Sequence, residues 1–124
     1  DSGAWVDAAA PDTGYIVPSL LNTFTLGYAQ YRKIGNAVYI NIAVDRSAIA
    51  PVGTPVFVLP EGFRPTNNYV IGFIGAMLDR NFVRQAYQFT IQLNGSVDAT
   101  WPIAAATGST AGPYNYAFTG VFFV

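Results

Sequence analysis

The 124-residue sequence predicts one all-β domain, a compact antiparallel β-barrel or Greek-key sandwich of about six to seven strands. Short runs in which apolar and polar residues alternate recur along the chain, and none has a helical period. Turn-forming residues, among them 12 glycines and 8 prolines, separate these runs. Aromatic residues, which favour strands, make up 15% of the chain.

Charge and residue usage exclude several functions. Only 10% of residues are charged and the formal net charge is −1, so the chain has no basic surface for nucleic acid or for an anionic membrane. It has neither cysteine nor histidine, which excludes disulfides, thiolate or imidazole catalysis and histidine-ligated zinc. We therefore predict no metal and no cofactor. No apolar run approaches the roughly 18–20 residues of a membrane helix.

The low charge also predicts a subunit interface. A domain of this size exposes roughly a third of its unfolded surface after folding, and with so few charges part of that surface is apolar. We expect an obligate homo-oligomer. A monomer covered by Thr, Asn, Gln and Ser is the alternative that the sequence leaves open.

The chain begins with an irregular lead-in at residues 1–20. Pro11, Gly14 and Pro18 interrupt it, and Trp5 is its one large anchor. Because Asp1 is not an initiator methionine, we expect the chain to be a piece of a longer protein. The β-barrel domain is predicted to span residues 21–124.

The first predicted hairpin joins strands at 22–32 and 37–44. A three-residue loop at 33–35 would set Tyr28 opposite Ile40 and keep one face apolar, whereas a two-residue turn would set Tyr28 on the face of Asn41. We therefore predict the three-residue loop, with Gly35 at positive φ.

The second predicted hairpin joins strands at 87–92 and 96–101. A loop at 93–95, with Gly95 at positive φ, sets apolar residues opposite one another on one face. The predicted pairs are Ile91 with Val97, Phe89 with Ala99 and Tyr87 with Trp101.

Three further strands complete the prediction. A short strand at 55–59 ends at Pro60, and strands at 68–78 and 114–124 are apolar on both faces. A strand that is buried on both sides needs cover that a small domain lacks, so we place the subunit contact on these last two strands. The intervening segment 102–113 is long for a loop, which predicts a functional role.

The sequence is poor in catalytic groups. Asp79 and Asp98 are the only carboxylates near predicted strand ends that could act as a pair, and each is more simply a turn or surface residue. We predict that the chain is not an enzyme.

Saccharide binding fits the residues better, because aromatic rings cover the C–H faces of a sugar while carboxylates and guanidinium groups bond its hydroxyls. One hairpin and its approach carry such a set. Trp101 alternatively packs against Tyr87 in the core, and the arginines are alternatively solvated or paired with an aspartate. Tyr31 and Tyr39 form a second, weaker aromatic surface. The candidate saccharide-binding residues are Trp101, Asp98, Arg84, Arg80 and Asp79.

Two segments carry a resemblance to a known family. The hairpin YRKIGNAVYI at 31–40 and the strand and turn VFVLPEGFRP at 56–65 resemble the head domain of tailed-phage receptor-binding proteins and tail fibres, of the lactococcal siphophage type. The resemblance is strongest over residues 24–78. Both motifs are structural, because their glycines permit turn dihedrals and their prolines end strands.

The resemblance implies a homotrimeric β-barrel head at the extracellular tip of the phage tail, joined to the baseplate through its N-terminal side, where the lead-in at residues 1–20 follows a neck or shoulder region. Such heads adhere non-covalently to saccharides or phosphosaccharides of the Gram-positive cell envelope, in a pocket near the boundary between protomers. Trp, Asp, Arg and often His line that pocket in relatives. Since this chain has no His, only Trp101, Asp98 and Arg84 are carried over as hypotheses. A structural trimerisation domain of a tail fibre and a polysaccharide depolymerase are the alternative functions.

Overall fold

Seven antiparallel strands form one sheet in the computed structural model, which describes residues 11–66, 70–81, 83–102 and 112–124, without the side chain of Leu26. The prediction of an all-β fold is confirmed, and each predicted strand is present within a few residues of its expected bounds. The order across the sheet is β1-β2-β7-β4-β5-β6-β3. The strands are β1 (Thr25–Ile34), β2 (Ala37–Arg46), β3 (Thr54–Val58), β4 (Ile71–Leu78), β5 (Arg84–Ile91), β6 (Ser96–Pro102) and β7 (Tyr114–Phe123).

The sheet curls into a half-barrel around an aromatic core. Tyr87 contacts Tyr116 edge to face with ring centroids 5.3 Å apart, and Phe89 stacks on Phe118 at 4.6 Å. Such aromatic pairs add about 0.5–1.5 kcal/mol each beyond the area they bury. Burial also raises the pKa of Tyr87 to about 12, so its hydroxyl stays neutral inside the barrel.

The lead-in closes the gap between the two edge strands. Its backbone exchanges hydrogen bonds with β1 between Ile16 and Tyr31, at 2.8 and 3.0 Å. It then reaches β3, where the Leu21 N–H donates to the Val56 carbonyl at 2.8 Å. Both sheet edges are therefore satisfied along part of their length, which removes the unpaired backbone that invites aggregation.

An ion pair holds the start of the lead-in on β1. The Arg32 guanidinium binds Asp12 and lies over the ring of Tyr15, 4.5 Å from its centroid. The hydrogen bond from Arg32 lowers the pKa of the Asp12 carboxyl below its usual value. Residues 1–10 of the predicted lead-in, including Trp5, lie outside the described residues.

The predicted loop of the first hairpin is wrong. Ile34 pairs with Ala37, so the turn contains only Gly35 and Asn36, and Tyr28 pairs with Ala43. Tyr28 consequently faces outward and is 46% exposed. Gly35 does have positive φ, at 59°, as predicted.

A bulge in β1 explains the wrong register. Thr25 pairs with Asp45 and Tyr28 with Ala43, so two β1 residues oppose the single residue between them on β2. The extra residue turns Phe24 into the core, where it is 5% exposed. Phe24 and Tyr28 thus lie on opposite faces, although the sequence alternation places them on the same one.

The predicted loop of the second hairpin is confirmed. Ile91 pairs with Val97 and Phe89 with Ala99, and Gly95 has a φ of 90°. The Gly95 N–H donates to the Gln92 carbonyl at 2.9 Å, which closes a three-residue loop.

The central strands β4 and β7 are buried on one face only. A Cβ atom at Gly75 would overlap the Ala117 carbonyl and lie 2.6 Å from Phe118 Cβ, so glycine permits the close approach of β7. On the outer face, Ile74 is 72% exposed and Phe123 is 69% exposed. The two strands predicted to be apolar on both faces therefore leave one apolar face open.

Across the described ranges, no helix has the length and apolar character that crossing a lipid bilayer requires.

Candidate functional site

Trp101 lies on the outer face of the sheet because of a second bulge. Phe89 pairs with Ala99, but its neighbour Gln88 pairs with Trp101, so Thr100 is an extra residue on β6. Without this bulge, regular pairing would set Trp101 opposite Tyr87, as the sequence predicted, and its side chain would point into the core. The prediction of that pair is wrong, and so is the alternative that Trp101 packs in the core, since its side chain is 47% exposed.

Trp101 forms one wall of a shallow outer pocket of about 380 Å³. Gln88 lies between Trp101 and Ile74 in a row across three strands, because it pairs with both. Gly72 leaves room for the Gln88 side chain at the base of the pocket, because a Cβ atom at position 72 would lie 3.2 Å from the Gln88 Nε2 atom. The pocket thus combines an indole ring, an exposed isoleucine and an amide, which suits a ligand with both C–H faces and hydroxyls.

Asp98 lies on the same outer face, in the next row. It pairs with Thr90 on β5 and is only 8% exposed. Its carboxylate accepts hydrogen bonds from the Ser96 hydroxyl and from Gln92 Nε2, the latter at 3.2 Å. A carboxylate has about four acceptor sites, so these donors orient Asp98 and leave capacity for a ligand hydroxyl.

The hydroxyl groups of Thr90 and Thr100 lie between Asp98 and Trp101, and we call Asp98 and these two threonines the polar strip. The Thr100 hydroxyl donates to the Thr90 hydroxyl at 2.5 Å, which ties the bulged residue to β5. The threonine pair therefore helps to fix the bulge that turns Trp101 outward.

Arg84 lies on the same outer face as Trp101 but far from it along β5. It is exposed, pairs with Leu78, and lies four residues before Gln88, about 14 Å along the strand at ~3.4 Å per residue. It forms no ion pair with any described residue. Ala76 and Ala86 pair in the row between Gln88 and Arg84. A ligand longer than one sugar ring is therefore needed to contact both Trp101 and Arg84.

Asp79 and Arg80 lie in the β4–β5 turn, apart from Trp101. Asp79 is buried, and its Oδ1 atom accepts the N–H groups of Asn81 at 2.9 Å and Val83 at 2.8 Å. This carboxylate closes the turn through its Oδ1 atom, while its buried Oδ2 atom bonds no described residue. Arg80 is exposed beside it. The structure thus brings Trp101 and Asp98 together and leaves these two residues away from them.

Asp79 and Asp98 do not form a catalytic pair. Asp79 bonds Val83, the residue before β5, and Asp98 pairs with Thr90 on β5; these partners are seven residues apart in extended chain, or about 24 Å. Two carboxylates that cleave a glycosidic bond lie about 5–9.5 Å apart. Among the described residues, no cluster of three acidic side chains could hold a metal ion.

The second predicted aromatic surface is wrong. Tyr31 is 6% exposed and stacks on Phe57 in the core, whereas Tyr39 is 42% exposed on the outer face. They face opposite sides because Tyr31 pairs with Ile40 and Arg32 pairs with Tyr39. The predicted functional loop 102–113 lies largely outside the described residues.

Sequence patterns missed Gln88, Ile74 and Gly72 as pocket residues. The signal available was the pair of glycines in strand 68–78, which indicated a close approach but not which side chain would lie over Gly72. Only the register of β4 against β5 places Ile74 beside Gln88.

Two solved structures share this arrangement of strands. The head domain of the receptor-binding protein of lactococcal phage bIL170 superposes with a TM-score of 0.66 at 14% identity, covering 93% of this chain and 98% of that one. The receptor-binding protein of Listeria phage PSA superposes with a TM-score of 0.63 at 12% identity, covering 98% of this chain and 71% of that one. The chain has the fold of a phage receptor-binding head.

The resemblance carried by residues 31–40 and 56–65 is thereby confirmed for the fold. No protein-family model matches the sequence. No curated protein matches it either.

Proposed function

We propose that the chain is the head of a phage receptor-binding protein that adheres, without covalent chemistry, to saccharides of the host cell envelope. Two structural neighbours are named as phage receptor-binding proteins, and they cover most of the chain. The observation that carries the proposal is the outward indole of Trp101, which the β6 bulge holds beside Gln88 and the Asp98 cluster. The sugar stacks on the indole, and its hydroxyls bond the polar strip.

The proposed assembly is a homotrimer at the tip of the phage tail. Three exposed apolar side chains on neighbouring strands, which we call the outer apolar patch, favour burial against other copies: Ile74, Val121 and Phe123. Ile74 also lines the Trp101 pocket, so the saccharide site would border the contact between protomers. Three sites per head, repeated over several heads, raise overall avidity by about 10²–10⁴ over one site.

Adhesion is favoured over cleavage because the two candidate acidic residues lie on different parts of the sheet. Asp79 serves the β4–β5 turn, and the donors around Asp98 hold its carboxylate in place. Adhesion is also favoured over a purely structural tip, because the exposed indole of Trp101 shares its pocket with the Gln88 amide, a hydrogen-bonding group that an apolar contact between protomers does not need.

Cell adsorption of a single variant tests the proposal. Trp101→Ala should lower binding of the assembled head to host cells by at least about tenfold, since an aromatic–sugar contact and its buried area are lost. Tyr28→Ala is the matched control, because Tyr28 is an outward aromatic of equal exposure at the far edge of the sheet. Unchanged adsorption of the Trp101 variant would remove this site from the account.

A further inference from the structure

A second cavity lies where the lead-in passes from β1 to β3. We call it the seam cavity, and its volume is about 450 Å³. Pockets that hold small ligands measure about 300–1,000 Å³, so this one has room for a single sugar ring or a group of similar size. The lining residues that matter here are Val17, Ser19, Leu21, Tyr31, Val58 and Arg64.

Most of the seam cavity wall is apolar and reaches solvent. Val17 is 61% exposed, Val58 47% and Leu21 40%, although each also faces the cavity. The lead-in supplies one wall and β3 the opposite one. A ligand with a C–H face would cover these side chains and gain about 25 cal/mol for each Å² of apolar surface removed from water.

Among the described residues that line the cavity, Arg64 is the single charged one. Its Nε atom donates to the Leu59 carbonyl at 2.8 Å, which fixes the plane of the guanidinium group. Within the described residues, nothing accepts a hydrogen bond from its two terminal nitrogens. Lys33, by comparison, donates to the Gly62 carbonyl at 2.7 Å and is held in the adjoining turn. Arg64 thus presents an oriented pair of donors to the cavity.

Two hydroxyl groups add to this donor set. Tyr31 is 6% exposed and contributes to the cavity wall, yet its hydroxyl bonds no described residue. This hydroxyl reaches the solvent in the cavity and can donate a hydrogen bond to a ligand there. Ser19 brings a second hydroxyl from the opposite wall.

We propose that the seam cavity binds an oxyanion, a carboxylate or a phosphate, carried on a unit of about monosaccharide size. The terminal nitrogens of Arg64 donate to two oxygens of the anion, a geometry that guanidinium favours. The hydroxyls of Tyr31 and Ser19 donate to the remaining oxygens, and the apolar walls cover the ring. This site is separate from the Trp101 pocket, which shares no lining residue with it.

Titration of the full chain with three matched sugars tests the proposal. D-glucuronate supplies the carboxylate, D-glucose 6-phosphate supplies the phosphate, and D-glucose is the neutral control. At least one anion should bind about tenfold or more tightly than glucose, because hydrogen bonds to charged groups exceed neutral ones. The stronger anion identifies the source of the oxyanion. Equal binding of glucose, or no saturable binding of either anion, would overturn the proposal.

Two substitutions locate the binding within the cavity. Arg64→Gln should lower the affinity for the stronger anion by about tenfold and leave the affinity for glucose unchanged. Because Arg64 also bonds Leu59, Val58→Trp provides a second variant that fills the cavity from an exposed position and should abolish anion binding. Val52→Trp is its matched control, since Val52 is 69% exposed and does not line the cavity.

The remaining outcomes separate this site from the adhesion site. Trp101→Ala should leave the binding of the anion unchanged, whatever it does to cell adsorption. If Val58→Trp folds and still binds the anion as the unmodified chain does, the ligand lies elsewhere and the seam cavity is not its site.

Discussion

The two faces of the sheet are built from the same strands but differ in packing. The inner face holds stacked and edge-on aromatic rings, such as Phe89 with Phe118, at interior density. The outer face carries a row of alanines across four strands: Ala43, Ala117, Ala76 and Ala86. Beside this row stand exposed large side chains. The inner face therefore determines stability, and the outer face carries the exposed side chains on which the proposed binding depends.

Two bulges determine on which face of the sheet two aromatic side chains lie. The bulge in β1 turns Phe24 into the core, and the bulge in β6 turns Trp101 out of it. Each uses one extra residue to reverse the side on which the chain points. A β-strand can therefore move one aromatic from the core to a binding face without a change in its alternating pattern.

The largest expected effect comes from truncating the inner face. Phe89→Ala should lower the free energy of unfolding by about 3–5 kcal/mol, because it leaves a cavity among fully buried rings. Chemical denaturation at fixed protein concentration measures the change.

The matching substitution on the outer face lies in the same hairpin, at Trp101. Trp101→Ala should lower the free energy of unfolding by about 1–2 kcal/mol, less than Phe89→Ala, because only about half of the tryptophan side chain is removed from water. If the two variants lower the free energy of unfolding by similar amounts, the conclusion that the inner face determines stability is incorrect.

The smallest expected effect on protomer folding comes from the outer apolar patch. Replacing Ile74 and Phe123 together with serine should leave the strand signal in circular dichroism unchanged, because both side chains are about 70% exposed. Light scattering should nevertheless show the mass of one 13.3 kDa chain, whereas the proposed trimer predicts the mass of three chains for the unmodified protein.

Val52→Ser is the control for the patch variant, because Val52 is equally exposed but lies outside the sheet. It should keep the mass of three chains. A single-chain mass for the unmodified protein at micromolar concentration would contradict the proposed trimer.

Most of the fold could be predicted from alternation and turn residues. The three-residue loop at Gly95 is an example, since only that loop keeps Ile91 opposite Val97. The prediction for the first hairpin failed under the same reasoning, because the β1 bulge at residues 26–27 reverses the alternation well before the turn at Gly35. Alternation assumes an unbroken ladder, and an extra residue within the strand leaves no trace in it.

The candidate site could be predicted only in part. An indole near hydrogen-bonding side chains suggested a sugar site, and Trp101 and Asp98 do share a face. Asp79 belonged to the same stretch of sequence, yet its carboxylate accepts two N–H groups of its own turn. Gln88 and Ile74 become neighbours of Trp101 only through strand pairing, which depends on contacts between distant parts of the chain.

The structure of the head with an oligosaccharide from the host cell wall would test the central claim most directly. We expect a sugar ring stacked on the indole of Trp101, with a hydroxyl bonded to Gln88 or Asp98. A wall oligosaccharide that binds the head at other residues, and leaves the Trp101 pocket empty, would contradict the account.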